Sequence, residues 1–216
     1  MNGLWVLLLL IAISALPVLA VLLWIRLRRL PVKSSWFLLA LLGGALSLGL
    51  AAVLQSLFPE TEGAGLGVLL AKIFIQIALT EELGRLAVFS LLLSLAHRME
   101  PHSSGFAAIT GLIAGLGFAV VETAIYGAGN FSIALGRAIT AAPLHGACGI
   151  RIGVAVFHIR RAPAKSLIRF LYAVTLHGMY NFIILSHGIP LVFPILIAFS
   201  ALFSSIKLIR FSGDSV

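Results

Sequence analysis

Charge is what this sequence has least of: 15 Lys or Arg and 7 Asp or Glu make up 10% of its 216 residues. A soluble domain of that length carries about a quarter charged residues, so an ordinary water-facing fold is excluded. Cysteine is nearly absent too. The single Cys148 rules out an internal disulfide and a cysteine-only metal site, and it reads as a small packing residue. The chain has no His-Glu-x-x-His run, internal repeat, linker or low-complexity tail. Met1-Asn2-Gly3 lacks the basic start of a secretory leader, and the first apolar run exceeds a leader's apolar core, so that run reads as a retained anchor. What is present is apolar: 61% hydrophobic residues, with a mean hydropathy of +1.13. The composition predicts an all-α, polytopic membrane protein forming a single domain over residues 1–216.

About 20 apolar residues cross the hydrocarbon core. The runs predict about seven transmembrane helices in one bundle, near 4–25, 35–57, 67–97, 104–127, 136–158, 167–186 and 188–208. The third is too long to lie straight. Its first turns, Leu66 to Ile75, are expected along the interface with Lys72 snorkelling, or the helix kinks near Gly84. The net charge of +8 resides mostly in short gaps between runs. Arg26, Arg28, Arg29 and Lys33 follow span one, His158 to Arg169 surround the gap after span five, and Lys207 and Arg210 end span seven. The alternate gaps hold only Glu60 and Glu62 or no charge. That pattern predicts an outside N-terminus and a cytoplasmic C-terminus, and argues against nucleic acid as a partner. Glycines in spans two and four predict close helix packing, and Asn130-Phe131-Ser132 reads as a chance match to a glycosylation acceptor.

Against this background, the polar groups at membrane depth stand out. Ala78 to Arg85 places Glu81, Glu82 and Arg85 inside an apolar run, where an ionised side chain costs at least ~2.5–3.5 kcal/mol. They need partners on other helices, and Glu122, His145, His177 and Asn181 are available. Counted from the predicted span ends, all six non-basic groups fall in one layer in the outer half of the bilayer. His177 and Asn181 share a helix face, as do Glu81 and Arg85, and Phe118 and Glu122. Glu81 and Glu82 lie about 100° apart, so one is expected to be the chemical group and the other a structural partner of Arg85. Pro143 frees the Ile139 carbonyl and is expected to open span five beside His145.

Each residue also has a plainer role. His145 could be a strut between helices and Glu122 a proton-relay carboxylate. Phe118 reads as an apolar wall, Arg137 as an interfacial anchor and Arg151 as an ion-pair partner. His97, His102, His158 and His187 lie near span ends, where solvation suffices. In combination, a carboxylate base, a water and His/Asn oxyanion donors are the parts for peptide hydrolysis without a covalent intermediate. His and Glu also bind zinc, though two adjacent glutamates beside an arginine make a poor zinc site.

Glu81-Glu82-x-x-Arg85, Phe118-x-x-x-Glu122, His145-x-x-x-Gly149 and His177-x-x-x-Asn181, in this order, resemble the PrsW family of intramembrane proteases. That family is grouped with the CAAX prenyl endopeptidases and the YhfC-like proteins, and the similarity covers about Lys72 to Phe182. The resemblance implies that Glu81 polarises the attacking water with Glu122 assisting, and that Glu82 pairs with Arg85. It further implies that His177 and Asn181 stabilise the oxyanion and that His145 lines the cavity. Which of Glu81 and Glu82 is the base stays open. Arg85 stands where the family usually has Lys, and Thr123 where it usually has Asn.

The expected function is an intramembrane endopeptidase of a prokaryotic plasma membrane. It would cut a single-pass, anti-sigma-factor-like substrate on the outer side, with no cofactor. The alternatives are a zinc-dependent or CAAX-type endopeptidase of the same architecture, or a non-catalytic scaffold or proton conductor.

Overall fold

The computed structural model describes residues 3–59, 65–97, 103–128, 130–186 and 189–209, with backbone only for 3, 4, 7, 96 and 97. Glu60, Glu62, His102, His187, Arg210 and the His97 side chain thus lie outside the described residues. Among the described residues every regular element is helical. They are α1 (Gly3–Leu27), α2 (Ser34–Gln55), α3 (Leu66–Ala71), a π-helical segment (Lys72–Leu79), α4 (Thr80–His97), α5 (Ser104–Tyr126), α6 (Phe131–Ile139), α7 (Ala141–His158), α8 (Pro163–Leu185) and α9 (Val192–Ile206). Among the described residues five stretches are long and apolar enough to cross a membrane: Leu8–Leu27, Ser34–Gln55, Ser104–Tyr126, Phe131–His158 and Pro163–Leu185. The third expected span is present as α3, the π segment and α4 in series, set apart from the five by its charges. The seventh is shorter than expected, because α9 has 15 residues and so measures about 22 Å. The chain is an all-α polytopic membrane bundle.

Burial separates an inner pair from an outer shell. The α5 and α6–α7 spans are each 83% buried, whereas α1 is 22% buried and turns Leu16, Leu19 and Leu23 outward. The inner pair touches backbone to backbone. A Cβ at Gly111 would land on the Gly149 carbonyl, one at Gly149 on the Gly111 carbonyl, and one at Gly153 on the Ala107 carbonyl. Ala107, Gly111 and Gly115 on α5 thus face Gly153, Gly149 and His145 on α7 in antiparallel register, a small-residue seam repeated every four residues. The span-four glycines were the visible cue, their partners on α7 were not, and the register is what brings α7 within reach of the acids on α4 and α5.

Two irregularities position the site. Span five starts earlier than expected and breaks at Thr140, whose φ −113° and ψ −55° separate α6 from α7. Pro143 explains the break, since its ring displaces the carbonyl four residues back and it has no N–H to offer. The Thr140 hydroxyl ties the break to both sides, lying 2.8 Å from the Gly136 carbonyl and 2.7 Å from the Tyr180 hydroxyl. Asn130 is the cap of α6: its Oδ1 accepts from the Ser132 and Ile133 amides. The second irregularity corrects the expected kink at Gly84. α4 runs through Gly84, which instead lets α2 approach, because a Cβ there would sit 2.8 Å from the Ser47 carbonyl. The deviation lies upstream, in the wide turns of Lys72–Leu79, where Phe74 covers Gly178 of α8. α3 buries none of its residues, which agrees with a peripheral position.

Candidate active site

α4 opens with the charged triplet. Glu81 and Glu82 stand in its first turn, directly after the wide turns of Lys72–Leu79, and Arg85 follows one turn later. All three are buried, at 5%, 0% and 3% exposure. Arg85 is the hub. Its Nη1 donates to Glu82 Oε1, and its Nη2 donates to His145 Nδ1 at 2.7 Å. The guanidinium carbon lies 4.0 Å above the Phe118 ring, which makes Phe118 a cation–π platform as well as a wall.

The bond from Arg85 settles the His145 tautomer. A guanidinium can only donate, so Nδ1 accepts and the ring proton sits on Nε2. Nε2–H then donates to Glu122 Oε2 at 2.6 Å. The same carboxylate oxygen lies 2.5 Å from Arg137 Nη2. Arg137 was read from the sequence as an interfacial anchor, and this is a correction: the α6–α7 break turns it inward to Glu122, leaving its side chain 16% exposed.

His177 completes the centre from α8. Its Nδ1 lies 2.8 Å from Glu82 Oε1 and its Nε2 lies 3.5 Å from Glu81 Oε2. The two glutamates, about 100° apart on α4, reach opposite sides of this ring, because an imidazole presents nitrogens on two sides. Glu82 is the partner of Arg85, at i,i+3, while Glu81 Oε2 is 4.0 Å from the guanidinium. Glu81 Oε2 and Glu82 Oε2 have no hydrogen-bond partner among the described residues. The His145 and His177 rings meet edge to face at 5.0 Å between centroids.

Five of the six expected residues, Glu81, Glu82, Glu122, His145 and His177, therefore join one buried network with Arg85. Asn181 does not. It lies one turn beyond His177 on α8, partly exposed, outside the hydrogen bonds that link the others. Arg151 is a second correction, since it donates to Ser204 Oγ at 2.8 Å and stacks 4.2 Å over Tyr172 instead of joining an acid. Two participants were missed. Arg137 was visible as a charge but placed on the wrong side, and Gln55 of α2 approaches Glu81 Oε1 at 3.4 Å. Gln55 lies at a predicted span end, where a polar residue carries no signal of its own.

The donor set also admits a metal. One atom each from Glu81, His145 and His177 lie within 4.8 Å of one another, all buried. His177 is suited to it, because a carboxylate on Nδ1 orients the ring and leaves Nε2 toward Glu81. Both His145 nitrogens already have partners, so it would exchange one of them.

Comparison with known proteins adds one match: the family described as PrsW family intramembrane metalloprotease, over residues 33–206. No curated protein and no solved structure matches the chain. The matched region runs from the start of α2 to the end of α9 and so contains every member of the buried network, from Gln55 to His177. With four-fifths of its length matched in this way, the chain belongs to the PrsW family of intramembrane proteases.

Proposed function

We propose that this protein is an endopeptidase that hydrolyses a peptide bond of a single-pass membrane protein, with Glu81 as the group that takes the proton of the attacking water. The observation that carries the reading is the pairing of Glu81 Oε2, buried without a hydrogen-bond partner, with His177 Nε2 at 3.5 Å. Glu82 is a poorer base because Arg85 holds it. In this scheme the water's O–H breaks as its oxygen bonds the scissile carbon, and the proton on Glu81 later passes to the leaving amine as C–N breaks. His177, flanked by a carboxylate at each nitrogen, carries a proton between Glu81 and the substrate. The side chain of Asn181, one turn away and partly exposed, meets the developing oxyanion when substrate enters. Glu122 acts through His145, since its Oε2 is committed to His145 and Arg137.

A second reading has support in the family description and in the Glu81, His145 and His177 donors. Those three residues would hold the metal, a set of the kind used by hydrolytic zinc sites. A bound metal would supply Lewis acidity to the water or the scissile carbonyl. In that case Glu81 is a ligand, and Arg85 still holds Glu82, which orients His177.

The charge alternation supports an outside N-terminus, a cytoplasmic C-terminus and a cut on the outer side of a plasma membrane. The test is reconstitution with a panel of single-pass proteins, mapping cut sites by mass spectrometry. Wild type is expected to cleave and Glu81→Gln to fail while still folding. Equal cleavage by both would refute Glu81 as the base. Activity that survives exhaustive chelation supports the metal-free scheme, and loss restored by zinc supports the second.

A further inference from the structure

Arg137 and His145 are eight residues apart, about 12 Å along a straight helix. Yet Arg137 Nη2 and His145 Nε2 both reach one oxygen, Glu122 Oε2, at 2.5 and 2.6 Å. The break at Thr140 makes this possible, and that break is itself secured by the Thr140–Tyr180 hydrogen bond at 2.7 Å. Arg137 is held from its other side by the Tyr126 ring, 4.5 Å away and one turn beyond Glu122 on α5. The guanidinium is thus fixed by groups four residues apart on α5, an arrangement a solvated anchor does not need.

The consequence runs inward along named atoms. Arg137 fixes the carboxylate, and the carboxylate takes the Nε2 proton of His145. His145 thereby presents Nδ1 as an acceptor to Arg85 Nη2, and the other end of Arg85 carries Glu82, which holds His177. We propose that Arg137 is a positioning residue for the hydrolysis: by clamping Glu122 it holds the acceptor of the His145 Nε2–H bond in place and so aligns Arg85, Glu82 and His177 around Glu81. This deepens the endopeptidase reading and rests on it for the catalytic half of its test.

The test uses the full-length protein in two arms. In the kinetic arm, Arg137→Gln lowers kcat about 10–100-fold with KM unchanged, by analogy with the loss of partners that orient metal-ligating histidines. Arg137→Lys recovers part of the loss. In a Glu122→Gln background, Arg137→Gln lowers kcat by less than about twofold, because residues acting as a unit are not additive. The spectroscopic arm needs no substrate. In ¹⁵N-histidine-labelled protein, with His145 assigned through His145→Gln, wild type gives a strongly deshielded Nε2–H proton held against Glu122, and Arg137→Gln shifts it upfield and speeds its exchange with water. Wild-type kcat in Arg137→Gln would overturn the proposal, as would a His145 Nε2–H signal indifferent to Arg137→Gln in folded protein. Should wild type cleave nothing while the Nε2–H signal still responds, the endopeptidase reading fails and the clamp stands.

Discussion

Arg85→Met is the most informative single change to the stability of this fold. Methionine keeps an unbranched apolar stem and removes the guanidinium with its donors. Three interactions disappear: the ion pair to Glu82, the bond to His145 Nδ1 and the cation–π contact with Phe118. Breaking a buried ion pair from one side costs about 3–5 kcal/mol, because the remaining charge is stranded. The bond to His145 from a charged donor is worth about 1.5–3 kcal/mol, and a desolvated cation–π contact about 2 kcal/mol. These share one guanidinium and are not additive, so the expected loss is about 3–5 kcal/mol and not the sum. At 1.4 kcal/mol per tenfold, that is roughly a thousandfold in the folding equilibrium. Glu82→Gln added to Arg85→Met removes the stranded charge and is expected to recover about 2 kcal/mol, since an excised buried pair is often near neutral. The assay is reversible unfolding in mixed micelles, followed by tryptophan fluorescence. A loss under about 1 kcal/mol for Arg85→Met, or a double variant less stable than the single, would refute the stranded-charge reasoning.

The remaining expectations concern packing and reach. Gly149→Leu forces α5 and α7 apart, since even a Cβ meets the Gly111 carbonyl, and is expected to prevent a stable fold by the same unfolding assay. Gly49→Ala is its control: nothing lies within 4 Å of the new Cβ, and a helix-interior alanine gains about 0.5–1 kcal/mol. Gln55→Ala removes an amide donor to the Glu81 carboxylate, worth about 1.5–3 kcal/mol for a charged acceptor, so cleavage is expected to slow about 10–150-fold, read as initial rate on the reconstituted substrate. Cys148 is wholly buried, so a maleimide is expected to label it only once the protein unfolds, checked by mass shift with and without denaturant.

Much of the site was legible because a membrane makes polar residues conspicuous. Glu81, Glu82, Glu122, His145 and His177 each stand in an apolar run, and a buried charge there is costly enough to demand a partner. Their pairing was less legible. Spacing along α4 allowed Arg85 to take either glutamate, and packing against α8 gave it Glu82 by setting His177 between the two. Arg137 illustrates the limit most clearly. Its place near a span end fits an anchor, and only the turn at Thr140 converts it into the second partner of Glu122. Asn181 shows another limit, because sharing a face with His177 placed it one turn along α8 and outside the hydrogen bonds that join the others.

Local chemistry by itself determined that this chain lives in a bilayer, that it is helical, and which few side chains could not face lipid. It determined those things because hydropathy and backbone hydrogen bonding act over a single helix and need no knowledge of its neighbours. The small-residue seam between α5 and α7, the break before Pro143 and the wide turns ahead of Glu81 set which atoms meet. Contacts between helices are decided by register and rotation summed over the whole bundle, and these belong to the tertiary structure alone.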